Sequence, residues 1–268
     1  MLIRSPAVKS RAAHGLPFLL GSAATHVDTY VERTAGTTHD LKGIRPSEGL
    51  FIFALLATDP PRRILESGRG RGYSTEILAR CFPATRIISI ERDRNSPDVE
   101  IAARRLEGNR NVECKFGDGR VELPRLIEQG DVVLIDGPKD FRALKLALRL
   151  LRTGRVRAAF MHDVIPGSHA RRFLEKRVPS AFFSDAPEFL SSYGFVGSDE
   201  PRPAPGQTLP ATVVDRLREG AMGFIPREPL PYGRLLVEVT FRQWKERLRD
   251  TARKWFKPAN KSGNPGRI

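Results

Sequence analysis

At 268 residues, 40% hydrophobic and 28% charged, the chain is long enough to bury a full core and reads as a soluble globular protein. One domain of about 200 residues with extensions is expected, and the lack of any run of about 18 apolar residues argues against a membrane-spanning helix. The formal net charge of +14 invites a nucleic acid or an anionic surface, yet nine Lys and Arg against two acids fall in residues 241–268, so half of the excess belongs to the tail.

Residues 1–27 carry Arg4, Lys9 and Arg11 and no acid. The apolar patch at 16–20 is short for a signal-peptide core, and this stretch is expected to be a flexible N-terminal arm. Residues 28–61 read as a helical cap, with helices over 27–34 and 46–58. The second has Ser47-Glu48 near its start and apolar residues too widely spread for one stripe, so burial is expected. It ends at Asp59-Pro60-Pro61.

From residue 62 short apolar runs alternate with amphipathic stretches. Strands are predicted over 64–67, 86–90, 112–116, 132–135 and 158–161, and helices near 73–82, 97–107, 119–128, 140–151 and 168–177. Such alternation gives βαβ units and a parallel sheet covered on both faces. Residues 181–184 and 221–225 are candidate sixth and final antiparallel strands, and 199–210, with four prolines, reads as a loop or lid. An α/β domain over 62–239 is therefore expected. Around 235–239 the pattern is ambiguous, and a basic amphipathic helix is read over about 240–256, with Phe241, Trp244, Leu248, Thr251 and Trp255 on one stripe. Docking of that stripe on its own domain competes with contact to an anionic membrane or nucleic acid. Residues 260–268 are expected to be disordered. Cys81 and Cys114 lack metal-type spacing and fit a reduced, cytoplasmic compartment, with a disulfide between them left open.

The first strand passes into Glu66-Ser67-Gly68-Arg69-Gly70-Arg71-Gly72-Tyr73-Ser74-Thr75. Glycines let the backbone approach a ligand, and a helix start offers unpaired N–H groups. A dinucleotide fingerprint needs a glycine where Tyr73 stands, which disfavours a nicotinamide-dependent oxidoreductase. Acid-x-Gly-x-Gly-x-Gly resembles class I S-adenosylmethionine-dependent methyltransferases. That resemblance spans about residues 44–185. It implies a Rossmann-like class I methyltransferase fold, with a mostly parallel seven-stranded sheet, N-terminal helices and a basic C-terminal helix.

Ligands of such sheets bind beyond the carboxyl ends of the strands, where Glu66, Glu91, Asp118, Asp136 and the pair His162-Asp163 fall. One acid at a strand end is commonly only a helix cap; five on one rim point to a site. Glu91, 19 residues past Gly72, suits a ribose diol because a carboxylate offers two acceptor oxygens. The resemblance gives the same role to Glu91, sets Asp118 near the adenine amino group, and puts Glu66 near the methionine portion, directly or through water. With Gly68, Gly70, Gly72, Ser74 and Asp136 these form the expected cofactor set. Arg69 and Arg71 are expected to point out of the loop, toward solvent or an anionic substrate.

Ile135-Asp136-Gly137-Pro138-Lys139 resembles the strand end of cation-dependent, catechol-type O-methyltransferases. The resemblance implies Lys139 as base and Asp136 as metal ligand. His162-Asp163-Val164 stands where that group carries an acid and an amide. A divalent ion, Mg or Mn, on Asp136, His162 and Asp163 would lower the pKa of an acceptor hydroxyl. Histidine in such a set shifts preference toward Mn, Fe or Zn. Without a metal, His162 or Asp163 would serve as general base. The expected activity is methyl transfer to oxygen of a small-molecule or sugar-like acceptor. The alternatives are an interaction protein that binds the cofactor without turnover, or an RNA- or membrane-associated methyltransferase.

Overall fold

The run Val132, Val133, Leu134, Ile135 is buried at every position, which a strand tolerates only in the middle of a sheet with helices on both faces. The computed structural model describes residues 15–39, 43–218 and 220–255 and shows that sheet. Its strands are β1 (Arg63–Ser67), β2 (Arg86–Glu91), β3 (Val112–Phe116), β4 (Asp131–Ile135), β5 (Val156–Met161), β6 (Phe182–Phe183) and β7 (Gly223–Pro226). They lie in the order β3-β2-β1-β4-β5-β7-β6. The first five are parallel, and β7 runs antiparallel to both of its neighbours. The mostly parallel seven-stranded sheet is as expected.

Leu65 pairs with Ile88 on one side and Val133 on the other, so strand addition reverses at β1. That switch point opens a crevice at the carboxyl ends of β1, β2 and β4. One face of the sheet, through Ile64, Ile87, Leu134 and Phe160, packs on α1 (Leu16–Thr34), α2 (Pro46–Leu56) and α3 (Tyr73–Cys81). α4 (Asp98–Leu106) lies against the start of α3. The other face, through Leu65, Ile88, Val133 and Met161, packs on α5 (Gly119–Leu126), α6 (Phe141–Arg152), α7 (His169–Arg177) and α10 (Tyr232–Trp255).

The structure corrects the termini. An arm over 1–27 is not what the described part of that stretch forms, because α1 begins at Leu16 and crosses the expected boundary. Leu19, Ala23, Val27 and Tyr30 fall on one helical face and are buried, and the Ser22 hydroxyl donates to the Ala54 carbonyl at 2.6 Å. Within Gly21-Ser22-Ala23-Ala24, Ser22 and Ala23 pack on the domain while Gly21 and Ala24 are exposed. Residues 1–14 lie outside the described residues. At the other end α10 starts at Tyr232, eight residues earlier than expected. Leu235 and Val239 are buried while Val237 is 71% exposed, a four-residue spacing that settles helix over strand. The helix docks through this first half. The stripe expected to dock does not: Phe241, Trp244 and Leu248 are exposed. The side chains of Thr251 and Trp255, and residues 256–268, lie outside the described residues.

Between β6 and β7 the chain also forms α8 (Pro187–Tyr193) and α9 (Ala211–Leu217), neither of them expected, while 199–210 contains no helix or strand. Both cysteines are free, and burial pushes the Cys81 thiol up to about 12. Among the described residues no helix is long and apolar enough to cross a membrane.

Candidate active site

The glycine loop is a compact device for turning β1 into α3. Gly68 has φ +89°, and a Cβ there would stand 2.8 Å from the Gly137 amide nitrogen, so the ends of β1 and β4 touch through it. Gly72, at φ +79°, caps α3, and a Cβ would press on Ala102 and Leu106 of α4 at 3.3 Å. Gly70 faces open space and its N–H donates to Glu91 Oε2 at 3.0 Å. Glu91 Oε1 accepts from the Arg92 and Asp93 amides at 2.8 and 3.2 Å. Three backbone donors thus fix its carboxylate and leave about one lone-pair site, on Oε2, for a ligand.

A cleft of about 230 Å³ opens in front of this loop, lined by Gly68, Glu91, Asp118, Gly119, Gly137 and Arg142. Of the expected cofactor residues, Gly68, Glu91 and Asp118 line it. Asp118 caps α5 through the Arg120 amide and pairs with the Arg120 guanidinium, whose hydrogen bond holds its carboxyl below the usual range. Its bland capping role is therefore real. Glu66 and Ser74 are elsewhere: Glu66 is fully buried and accepts hydrogen bonds from Ser74, Thr75 and, at 2.6 Å, Ser89. Burial raises its pKa against those three hydroxyls, with the Asp136 charge adding to the rise. It ties β1, β2 and α3 together beneath the loop.

The arginines also differ from expectation. Arg69 is 4% exposed, donates to the Ser89 and Lys115 carbonyls at 2.9 and 3.3 Å, and lays its guanidinium over the Phe116 ring. Carbonyls and an aromatic face satisfy it within the fold. Arg71 pairs with Asp98 of α4 at 2.9 Å. Neither points out as a free cation.

The ends of β4 and β5 form the second half of the rim. Lys139 Nζ lies 2.5 Å from Asp136 and 2.6 Å from Asp163. His162 Nδ1 stands 2.6 Å from Asp136, and Nε2 faces Glu48 at 3.3 Å. Burial disfavours charge on His162, but its hydrogen bonds to Asp136 and Glu48, reinforced by their charges, outweigh that and push its pKa up to about 10. Asp136 likewise resists burial: the bond from His162 and the charges of His162 and Lys139 hold its carboxyl below the ordinary value. Lys139 is raised, its two carboxylates overcoming desolvation. Three carboxylates and two cations leave one net negative charge here. Oxygen and nitrogen atoms of Asp136, His162 and Asp163 come within 4.8 Å of one another, as three metal ligands would.

Glu48 was not read as a site residue. It sits in the first turn of α2, 2% exposed, accepts from the Arg45 amide at 2.7 Å, and keeps its buried Oε1 without a partner. The available signal was a lone acid in a helix otherwise apolar on every face.

The sheet order, the glycine turn and the crevice at the switch point define a class I methyltransferase fold. The family model for protein-L-isoaspartate(D-aspartate) O-methyltransferase matches residues 45–126. The human transmembrane O-methyltransferase is 31% identical over 174 residues, covering 60% of this chain and 57% of that protein. The catechol O-methyltransferase of Niastella koreensis is 31% identical over 119 residues, covering 41% of this chain and 54% of that one. The chain spans about half the length of the curated relatives it matches. Among solved structures, the O-methyltransferase TomG of Streptomyces achromogenes superposes with a TM-score of 0.47 at 21% identity, covering 78% of this chain and 89% of that one. Over the stretches matched, the chain is similar to O-methyltransferases.

Proposed function

We propose that the protein transfers the methyl group of S-adenosylmethionine to an oxygen of a small-molecule acceptor. The observation that carries this reading is a juxtaposition across one switch point: a cleft beside the glycine turn lined by Glu91 on one side, and Lys139 held between Asp136 and Asp163 on the other. The relatives' names give different acceptors, isoaspartate in one and catechol in another, and share O-methylation. When bound, the cofactor would supply an electrophilic methyl on a sulfonium to the acceptor oxygen.

The chain's own residues would then orient and deprotonate. Glu91 takes the ribose hydroxyls, and the net negative charge beside Asp136 suits a cationic sulfur. Lys139 is kept charged by its two carboxylates, so it acts by holding the acceptor oxygen and its developing negative charge rather than as a base. His162 is likewise held as an imidazolium, and it positions Asp136. Asp163, half-exposed at the end of β5, is left to take the proton. Alignment supplies most of the acceleration.

A divalent ion is favoured by one observation, the clustering of Asp136, His162 and Asp163. Against it, both imidazole nitrogens face carboxylates and the Lys139 ammonium stands between the two aspartates. Cations already serve this donor set, so the residues as arranged do not fit a metal. Turnover unchanged by chelation supports this; activity restored by added Mg or Mn overturns it. The function itself is tested by following S-adenosylhomocysteine release with phenols, carboxylates and sugars as acceptors. Binding of the cofactor with no turnover on any acceptor would favour the interaction protein instead.

A further inference from the structure

Past the segment that packs on the domain, α10 turns an apolar face to solvent. Val237 is 71% exposed, Phe241 60%, Trp244 56% and Leu248 49%. Their spacing puts all four on one stripe about 16 Å long. The Phe241 and Trp244 rings sit 6.1 Å apart. The other exposed large apolar residues among those described, Val31, Val121 and Ile165, are scattered singly on separate elements.

Both edges of the stripe are basic. Along one, α6 and α10 enclose a groove of about 480 Å³ carrying Arg120, Arg142, Lys145, Arg149 and Arg152 and no acid. Arg142, Arg149 and Arg152 have no carboxylate partner among the described residues. Along the other edge stand the exposed Arg234 and Lys245, also without one. Among the other described cations of α10, Arg242 shares Glu238 with Arg177 of α7, and Arg249 pairs with Glu246. Of the described cations that flank the apolar stripe, Arg120 alone has a carboxylate partner, Asp118.

We propose that this face of α10 docks on an anionic phospholipid bilayer, with Val237, Phe241, Trp244 and Leu248 entering the boundary between headgroups and acyl chains. The cations on either side then meet lipid phosphates. Phe and Trp suit that boundary because their rings tolerate one wet and one apolar side. A single-stranded nucleic acid fits less well, since Val237 and Leu248 offer a base nothing to stack on. A second copy fits less well too: a two-fold pairing of this face would bring its basic edges together.

The test is co-sedimentation of the full chain with phosphatidylcholine vesicles, with and without phosphatidylglycerol. Binding should require phosphatidylglycerol, weaken with salt, and fall by about tenfold or more in F241E/W244E. Both side chains lie outside the core, so the variant should melt like the parent, and a second variant, R149Q/R152Q, should weaken binding without touching the stripe. No binding by the folded parent overturns the proposal. So does vesicle binding indifferent to both variants, tighter retention of single-stranded RNA than of vesicles, or a concentration-dependent dimer that F241E/W244E abolishes.

Discussion

On the β1–β3 side of the rim the site is a turn shaped by Gly68, Gly70 and Gly72, whose amides are bonded to Ile90, Glu91 and Arg69, with Glu91 lining the cleft beside it. On the β4–β5 side it is a set of charged side chains, Asp136, Lys139, His162 and Asp163, joined by Glu48 from α2. The first arrangement is local: every part but Glu91 comes from one turn, and its requirement for positive φ is written in glycine. The second collects residues from three separate stretches, and its order comes from mutual charge. The same rim thus contains a half held by chain conformation and a half held by electrostatics. The two halves should fail differently when perturbed.

Gly68→Ala should have the largest effect, a loss of about 3 kcal/mol or more in urea unfolding, because a left-handed backbone and a 2.8 Å approach to the Gly137 amide are both violated. An unchanged midpoint would mean the loop is not conformationally held. On the electrostatic side, His162→Gln takes the imidazolium from buried Glu48 and leaves Asp136 only Lys139, and should cost about 3 kcal/mol near neutrality. The sign with pH follows from the raised pKa. An imidazolium favoured by folding contributes fully below the ordinary value of 6.5, and that contribution drains away as pH rises toward about 10. The gap in unfolding free energy between parent and H162Q should therefore narrow across that window; a constant gap contradicts a charged His162.

Lys139→Met should lower the rate of methyl transfer by about a hundredfold while leaving S-adenosylhomocysteine affinity within about twofold, since the ammonium serves the acceptor and not the cofactor. Equal losses in both would merge the two halves. Arg71→Gln should change least, by well under about 1 kcal/mol, because its partly exposed pair with Asp98 is screened.

The same contrast explains what the residues disclosed. The five parallel strands, the glycine turn and Glu91 were legible because each rests on a local pattern: an apolar run, a spacing, an acid at a strand end. Glu48 was not, since its partner His162 lies 114 positions away and nothing in Pro46-Ser47-Glu48-Gly49 names it. Arg69 was misread because its cationic character suggests solvent, whereas two carbonyls and the Phe116 face bury it. The arm expected over 1–27 was misread because its apolar patch is short; Leu19, Ala23 and Val27 make a helical face only when continued to Tyr30, past the expected boundary. Leu235, Val237 and Val239 carried both periodicities at once, and only the burial of the first and third resolves them.

The central claim is that the cleft beside the glycine turn holds an adenosyl sulfonium compound with Glu91 on its ribose. Isothermal calorimetry of the parent and Glu91→Ala with S-adenosylhomocysteine tests it most directly. The expected result is saturable binding by the parent and at least about tenfold weaker binding by the variant. A parent that binds nothing, or a variant that binds as tightly, contradicts the account.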